Sequence, residues 1–175
     1  MSRSVCAFIA GAIVVATLAG CGSGSSATLL GDTKAPAQLL RNEVAGRVPT
    51  DVIESLSDSE DVSVGCGQDG VMRSWQSTQL MFITPEKAGR ILTVLDGVVA
   101  SLAAQGWTSE PSTPSSKIRE DNLTSKTIDS VIHLRAVEAS DDEGNGATFE
   151  LSVNGPCVHT DGADSDEVKR LEGRD

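Results

Sequence analysis

Few side chains of this 175-residue chain could carry covalent or ligating chemistry: Cys6, Cys21, Cys66, Cys157, His133 and His159. Nucleophilic catalysis takes a nucleophile, a base and a group that orients the base. His133 falls on the outer face of a predicted strand, His159 borders an acidic tail, and no Gly-x-Ser-x-Gly is present. Solvated histidines are the plain reading, so no catalytic residue is assigned and the chain reads as a non-enzyme. Asp141-x-Glu143-x-Asn145-Gly146 has the alternating oxygens and sixth-position glycine of a calcium loop. Its twelfth position is Ser152 where such a loop needs Glu, and its flanks read as strands. An acidic hairpin loop is expected there. The stretch from Gly65 to Gly70 is glycine-rich but lacks the Lys-Ser/Thr ending and the following helix of a phosphate-binding loop. Asn122-Leu123-Thr124 matches a glycosylation acceptor, a motif short enough to recur by chance. No metal and no cofactor follow from any of these.

Cys21 is different, because of what precedes it. Arg3 lies in a short polar start, and Val5 to Leu18 is almost entirely apolar. Fourteen residues are too few to span a bilayer, which takes about 20 as a helix, but suit the apolar region of a secretory signal. Leu18-Ala19-Gly20-Cys21 then places small residues before a cysteine, and a Gly/Ser-rich tract follows. This stretch resembles the lipobox of bacterial lipoproteins. The resemblance implies a signal peptide over residues 1–20, cleavage before Cys21, and diacylglyceryl and acyl chains on Cys21. It places the folded part on the extracytoplasmic side of a membrane, since two acyl chains anchor stably where one does not. Cys6 is discarded with the signal.

Two cysteines remain, Cys66 and Cys157. In an oxidising compartment a disulfide is the default. Free thiols and a metal pair stay as alternatives, though two cysteines without neighbouring histidines are a poor zinc set.

Loss of residues 1–20 removes one charge, Arg3, and moves the net charge from −11 to −12. An acidic chain repels nucleic acid and anionic headgroups, so no nucleic-acid partner is expected. Aromatics are only Phe8, Phe82, Phe149, Trp75 and Trp107. That is a thin supply for a stacked sugar- or peptide-binding face.

The remaining elements must position whatever the chain presents. Residues 21–34 read as a lipidated flexible tether. Ala35 to Val48 reads as a helix with an apolar stripe of Leu39, Leu40, Val44 and Val48, Arg41 and Arg47 facing elsewhere. Val62, Val64 and Cys66 alternate as a strand, and Arg73 to Thr84 reads as a central strand. Thr84 to Gly106 is the best-defined helix, with Pro85 in its first turn, a long apolar stripe and Gly106 as its stop. Trp107 to Glu110 starts another strand, and Lys117 to Ser125 is polar without clear period. From 127 to 137, Ile132, Leu134 and Ala136 alternate against Val131, His133 and Arg135. From 147 to 153, Phe149, Leu151 and Val153 alternate against Thr148, Glu150 and Ser152. Asn145-Gly146 marks the hairpin between these two. Residues 159–175 read as a disordered acidic tail, with at most a marginal helix over Glu167 to Glu172.

The expected fold is therefore α+β over residues 35–158: an antiparallel sheet of about four to five strands, with one long helix and an N-terminal helix packed on it. The layout of lipobox, tether, helix, strand ending in cysteine, helix ending Gly106-Trp107, and last strand ending Pro156-Cys157 resembles small actinobacterial, mycobacteria-like envelope lipoproteins. That resemblance implies location and fold, and no chemistry. The functional expectation is a membrane-anchored binding or interaction module of the cell envelope. Its partners would be the membrane, through Cys21, and an unidentified envelope protein or ligand. A carrier of a lipid or small hydrophobe and an envelope hydrolase are the alternatives.

Overall fold

A computed structural model describes residues 28–68, 70–111, 117–138 and 146–174. The expected signal peptide, Cys21, the first half of the tether and the acidic turn at 141–145 lie outside these residues. The chain begins with helix α1 (Leu30–Ala45), then strands β1 (Ile53–Leu56), β2 (Glu60–Gly65) and β3 (Met72–Ile83). Helix α2 (Ile91–Ala103) follows, then β4 (Trp107–Pro111), β5 (Ile118–Ser125), β6 (Val131–Val137), β7 (Thr148–Asn154) and β8 (Val158–His159), and helix α3 (Asp166–Glu172).

The sheet is antiparallel throughout the strand pairs, in the order β1-β3-β7-β6-β5-β4, with β2 and β8 also pairing β3. The 12-residue β3 is its seam. One edge pairs β2 and then β1; the other pairs β8 and then β7. Helices α1 and α2 cover one face. Alternation in β6 and β7 turns Ile132, Leu134, Ala136, Phe149, Leu151 and Val153 toward those helices, where all are buried. Trp75, Met81 and Ile83 of β3 join them, with Ile91, Leu95, Val98 and Leu102 from α2. The expected α+β antiparallel architecture is present, but with eight strands and three helices instead of four to five strands and two helices.

The extra strands have a physical explanation. In β5 the positions that turn inward are Arg119, Asp121 and Leu123, so period-2 hydrophobicity fails. Asp121 is only 1% exposed. It accepts from Ser109 Oγ at 2.7 Å and pairs with Arg119 at 3.0 Å, and Arg119 also pairs with Asp96 of α2. A strand can bury such a pair because each charge is met and hydrogen bonded. The stretch 51–56, which reads in the sequence as a short strand or turn, supplies β1, and β8 is a two-residue piece; each pairs an edge of β3.

The helices differ from expectation too. The stretch 84–106 is not one helix: Pro85–Arg90 forms a 3-10 turn with no buried residue, and the α-helix starts at Ile91. Gly89 disfavours helix just before the buried stripe begins. Gly106, at φ +91°, ends the segment as expected. Helix α1 starts at Leu30, inside the stretch read as tether, and ends at Ala45. The Leu29 N–H donates to Asp32 Oδ2 at 3.1 Å, half of a capping box. Its buried face is Leu30, Thr33, Ala37, Arg41 and Val44, while Leu39 is 69% exposed. Small residues let this face come close to the sheet. A Cβ on Gly155 would sit 3.3 Å from both Cβ and the carbonyl oxygen of Thr33.

The expected disordered tail is corrected as well. Ser165 caps α3 by accepting from the Val168 N–H, and Gly173 closes it at φ +66°. Val168 is fully buried, with Leu171 packed against the core. Glu172 accepts from the Ser63 N–H of β2 at 2.9 Å. An acidic first turn and basic last turn suit the helix dipole. These caps were present in the sequence; the docking that makes seven residues helical was not.

Cys66 and Cys157 are joined, as expected, with Cα atoms 5.9 Å apart and 91 positions between them in sequence. They flank the start of β3, where Gly65 and Val158 both register with Arg73. Replacing both cysteines by alanine should cost about 2–5 kcal/mol, read from urea unfolding of oxidised wild type against the variant. V168A should lower stability by about 2 kcal/mol. An unchanged midpoint would mean that α3 does not dock.

Candidate functional site

The face of the sheet turned away from α1 and α2 carries the other half of each alternation. Register assembles it into rows across the strands. Thr78, Ser152, His133 and Asn122 are successive partners on β3, β7, β6 and β5. The next row is Leu80, Glu150, Arg135 and Glu120. No residue of these rows is near another in sequence except where it shares a strand; antiparallel pairing alone brings them together.

His133 Nδ1 is hydrogen bonded to Asn122 Oδ1. An amide oxygen only accepts, so Nδ1 carries the proton in the neutral ring and Nε2 is left with its lone pair. Burial pushes the imidazole below its ordinary range, against the pull of Glu120. In the same row Thr78 Oγ1 and Ser152 Oγ lie 3.3 Å apart. In the next row Arg135 Nε donates to Glu120 Oε1 at 2.9 Å, and Arg135 Nη1 lies 4.0 Å from Glu150 Oε2. Glu120, Asn122, His133, Arg135, Glu150 and Ser152 line a recess of about 210 Å³. A second recess of about 350 Å³, with Asp58, Glu60, Thr78 and Leu80, shares Glu150 with it.

His133 therefore does stand beside a hydroxyl and carboxylates. Its orienting partner is an amide, however, and it makes no hydrogen bond to Ser152. The set is a row of hydrogen-bonding groups rather than a nucleophile–base pair. His159, on β8, is exposed and lies beside a different recess of about 500 Å³ formed with Thr160, Asp161 and the start of α3. The structure does not bring the two histidines together. Among the described residues no cluster of three or more His, Cys, Asp or Glu could hold a metal. The stretch 141–145 lies outside them, and its flanks, β6 and β7, pair directly from Val137 and Thr148.

A second polar group lies under α1, and no local pattern in the sequence marks it. Asp61 of β2 pairs with Ser77 of β3 and accepts from Gln38 Nε2 of α1 at 2.9 Å. Burial alone would raise its pKa. Ser77, Gln38, the Arg41 charge and the Trp75 indole together outweigh that and hold the carboxyl below its ordinary range. Trp75 is fully buried, with the Lys34 ammonium 4.5 Å from its ring centroid.

No protein-family description, curated protein or solved structure matches this chain. Among the described residues, no helix is long and apolar enough to cross a membrane.

Two groups predict how stability follows pH. His133 has a lowered pKa in the fold, so the unfolded chain binds its proton more tightly. Its contribution is present in full above about 6.5 and is lost as pH falls through and below that value. Asp61, also lowered, contributes above about 3.8 and loses that contribution on further acidification. The urea midpoint of wild type should fall between pH 7 and pH 5, and H133Q should reduce that fall. An identical profile for H133Q would remove His133 as the cause.

Proposed function

We propose that this chain is a lipid-anchored envelope protein on the extracytoplasmic side, acting as a binding module through the bare face of its sheet. Export and anchoring rest on Leu18-Ala19-Gly20-Cys21 and the apolar run before it. The Cys66–Cys157 disulfide, with both cysteines exposed, suits an oxidising compartment. The observation that carries the binding role is the asymmetry of the sheet. One face is sealed by helices, while the other presents ordered rows of polar side chains around His133 and Arg135. Ordered, partly desolvated polar groups on a rigid sheet are pre-organised for recognition. The recesses there are lined by carboxylates, hydroxyls and imidazole. That chemistry suits a polar contact better than the apolar cargo of a carrier, and it places the carrier and hydrolase readings behind this one.

Two measurements test the reading. In a bacterium that processes lipoproteins, wild type should fractionate with membranes, lack residues 1–20 and carry added lipid mass. C21S should leave the membrane fraction. Recovery of wild type with Met1 and no lipid would overturn the anchor. For the contact face, a photo-reactive residue at Glu150 should give discrete adducts in the envelope that the same residue at Ala100, on the outside of α2, does not. Equal labelling from both positions would overturn it.

A further inference from the structure

We propose that the groove between α2 and the turn after α1 binds a single-chain anionic amphiphile, an oxyanion head on a short alkyl chain. The groove lies on the helical side of the molecule, so this site goes beyond the contact proposed for the bare sheet face and does not depend on it.

The groove has a volume of about 300 Å³, at the small end of ligand-binding pockets. Val94 and Val98, both buried, form its base with Pro49 beside them, and the exposed Thr93 and Arg90 stand at its rim. Its charged side chains are both guanidiniums, Arg47 and Arg90, and no carboxylate lines it. Arg47 is committed within the fold. Its Nη2 donates to Glu43 Oε1 at 2.6 Å and to Gln105 Oε1 at 2.7 Å, and its Nη1 donates to Ser101 Oγ at 2.6 Å. Glu43 thus meets the Arg47 charge. Arg90 is free. Among the described residues its side chain makes no hydrogen bond or ion pair, not even with Glu86 four positions earlier. The groove therefore keeps one unmet positive charge, on a chain whose net charge is −11. A guanidinium has donors only, in a planar fork that matches a carboxylate or phosphate.

Gly97 points to the same occupant. It lies inside α2 without a positive φ, and a Cβ added there would meet nothing within 4 Å. Neither packing nor backbone angle asks for glycine at that position, and glycine disfavours helix. What it provides is a bare stretch of α2 backbone along the groove, where an alkyl chain can lie over Val94 and Val98. A small inorganic anion would leave that apolar base in water, and a neutral chain would leave Arg90 unmet. An amphiphile with an oxyanion head answers both.

The test uses the whole mature protein, held on phosphatidylcholine nanodiscs by its own lipid, with valine methyl groups labelled for NMR. The probes are hexanoate and hexyl phosphate, with hexanol and inorganic phosphate as comparisons. Saturable shifts of the Val94 and Val98 methyl signals are expected with at least one of the two amphiphiles. Binding should be about tenfold weaker in R90Q, lost in G97L, which fills the groove, and unchanged in A100L. The urea midpoint of G97L should rise, because leucine favours helix over glycine, so that its loss of binding is separated from unfolding. Equal shifts with hexanol would reveal an apolar dent without charge recognition, and equal shifts with inorganic phosphate an adventitious ion only. Either result overturns the proposal, as would wild-type binding in G97L or R90Q, or no saturation with either amphiphile.

Discussion

Both edges of β3 are occupied, and the rest of the molecule depends on that. A strand that is hydrogen bonded on both sides cannot slip by one residue without breaking every ladder at once and turning its apolar side chains to water. Here the two sides are supplied by four strands from distant parts of the sequence: β1 and β2 before it, β7 and β8 long after. The disulfide reinforces the same place, since its cysteines lie beside the start of β3. Closing so long a loop restricts the unfolded chain, by roughly 4–5 kcal/mol in the chain-entropy description. Trp75, near the start of the strand, is fully buried, with Lys34 of α1 against its ring.

That covered face is less uniformly apolar than hydropathy suggests. Arg41 on the inner side of α1 lies near Asp61 and Ser77 of the strands beneath it, and Asp121 with Arg119 lies under α2. A buried charge is tolerated only when opposite charge and hydrogen bonds replace the water it loses. Asp121 meets that condition through Ser109 and Arg119. Asp61, half-buried, accepts from Gln38 of α1 through Oδ2 and lies near the Arg41 charge, while its Oδ1 has no hydrogen-bond partner among the described residues. Such groups contribute little net stability, but they fix which helix sits over which strands, because any other docking leaves a charge unpaired. Helix α3 works in the same way: Glu172 reaches the Ser63 N–H at the edge of β2.

The bare face inherits its order from the covered one. Once Ile132 and Leu134 are committed to the core, His133 must point the other way. The register of β6 with β5 and β7 then decides that its neighbours are Asn122 and Ser152. The half-buried imidazole, its amide partner and the Arg135 ion pairs are thus held by the core beneath them.

Residue order alone determined the apolar run before Cys21, the alternation of β6 and β7, the apolar face of α2 with its Gly106 stop, and the two cysteines left to pair. These are local signals: a period, a cap, a short motif or a count. It could not determine β5, whose inward positions are charged, or the true face of α1, where Arg41 is buried and Leu39 is exposed. Nor could it determine that a seven-residue acidic segment becomes helix α3. In each case the deciding partner is far away in the chain: Asp96 and Ser109 for β5, Asp61 for α1, Gly31 and Ser63 for α3. The polar rows around His133 are of the same kind. Alternation shows which way a side chain points, but only strand pairing across the whole sheet decides what stands beside it.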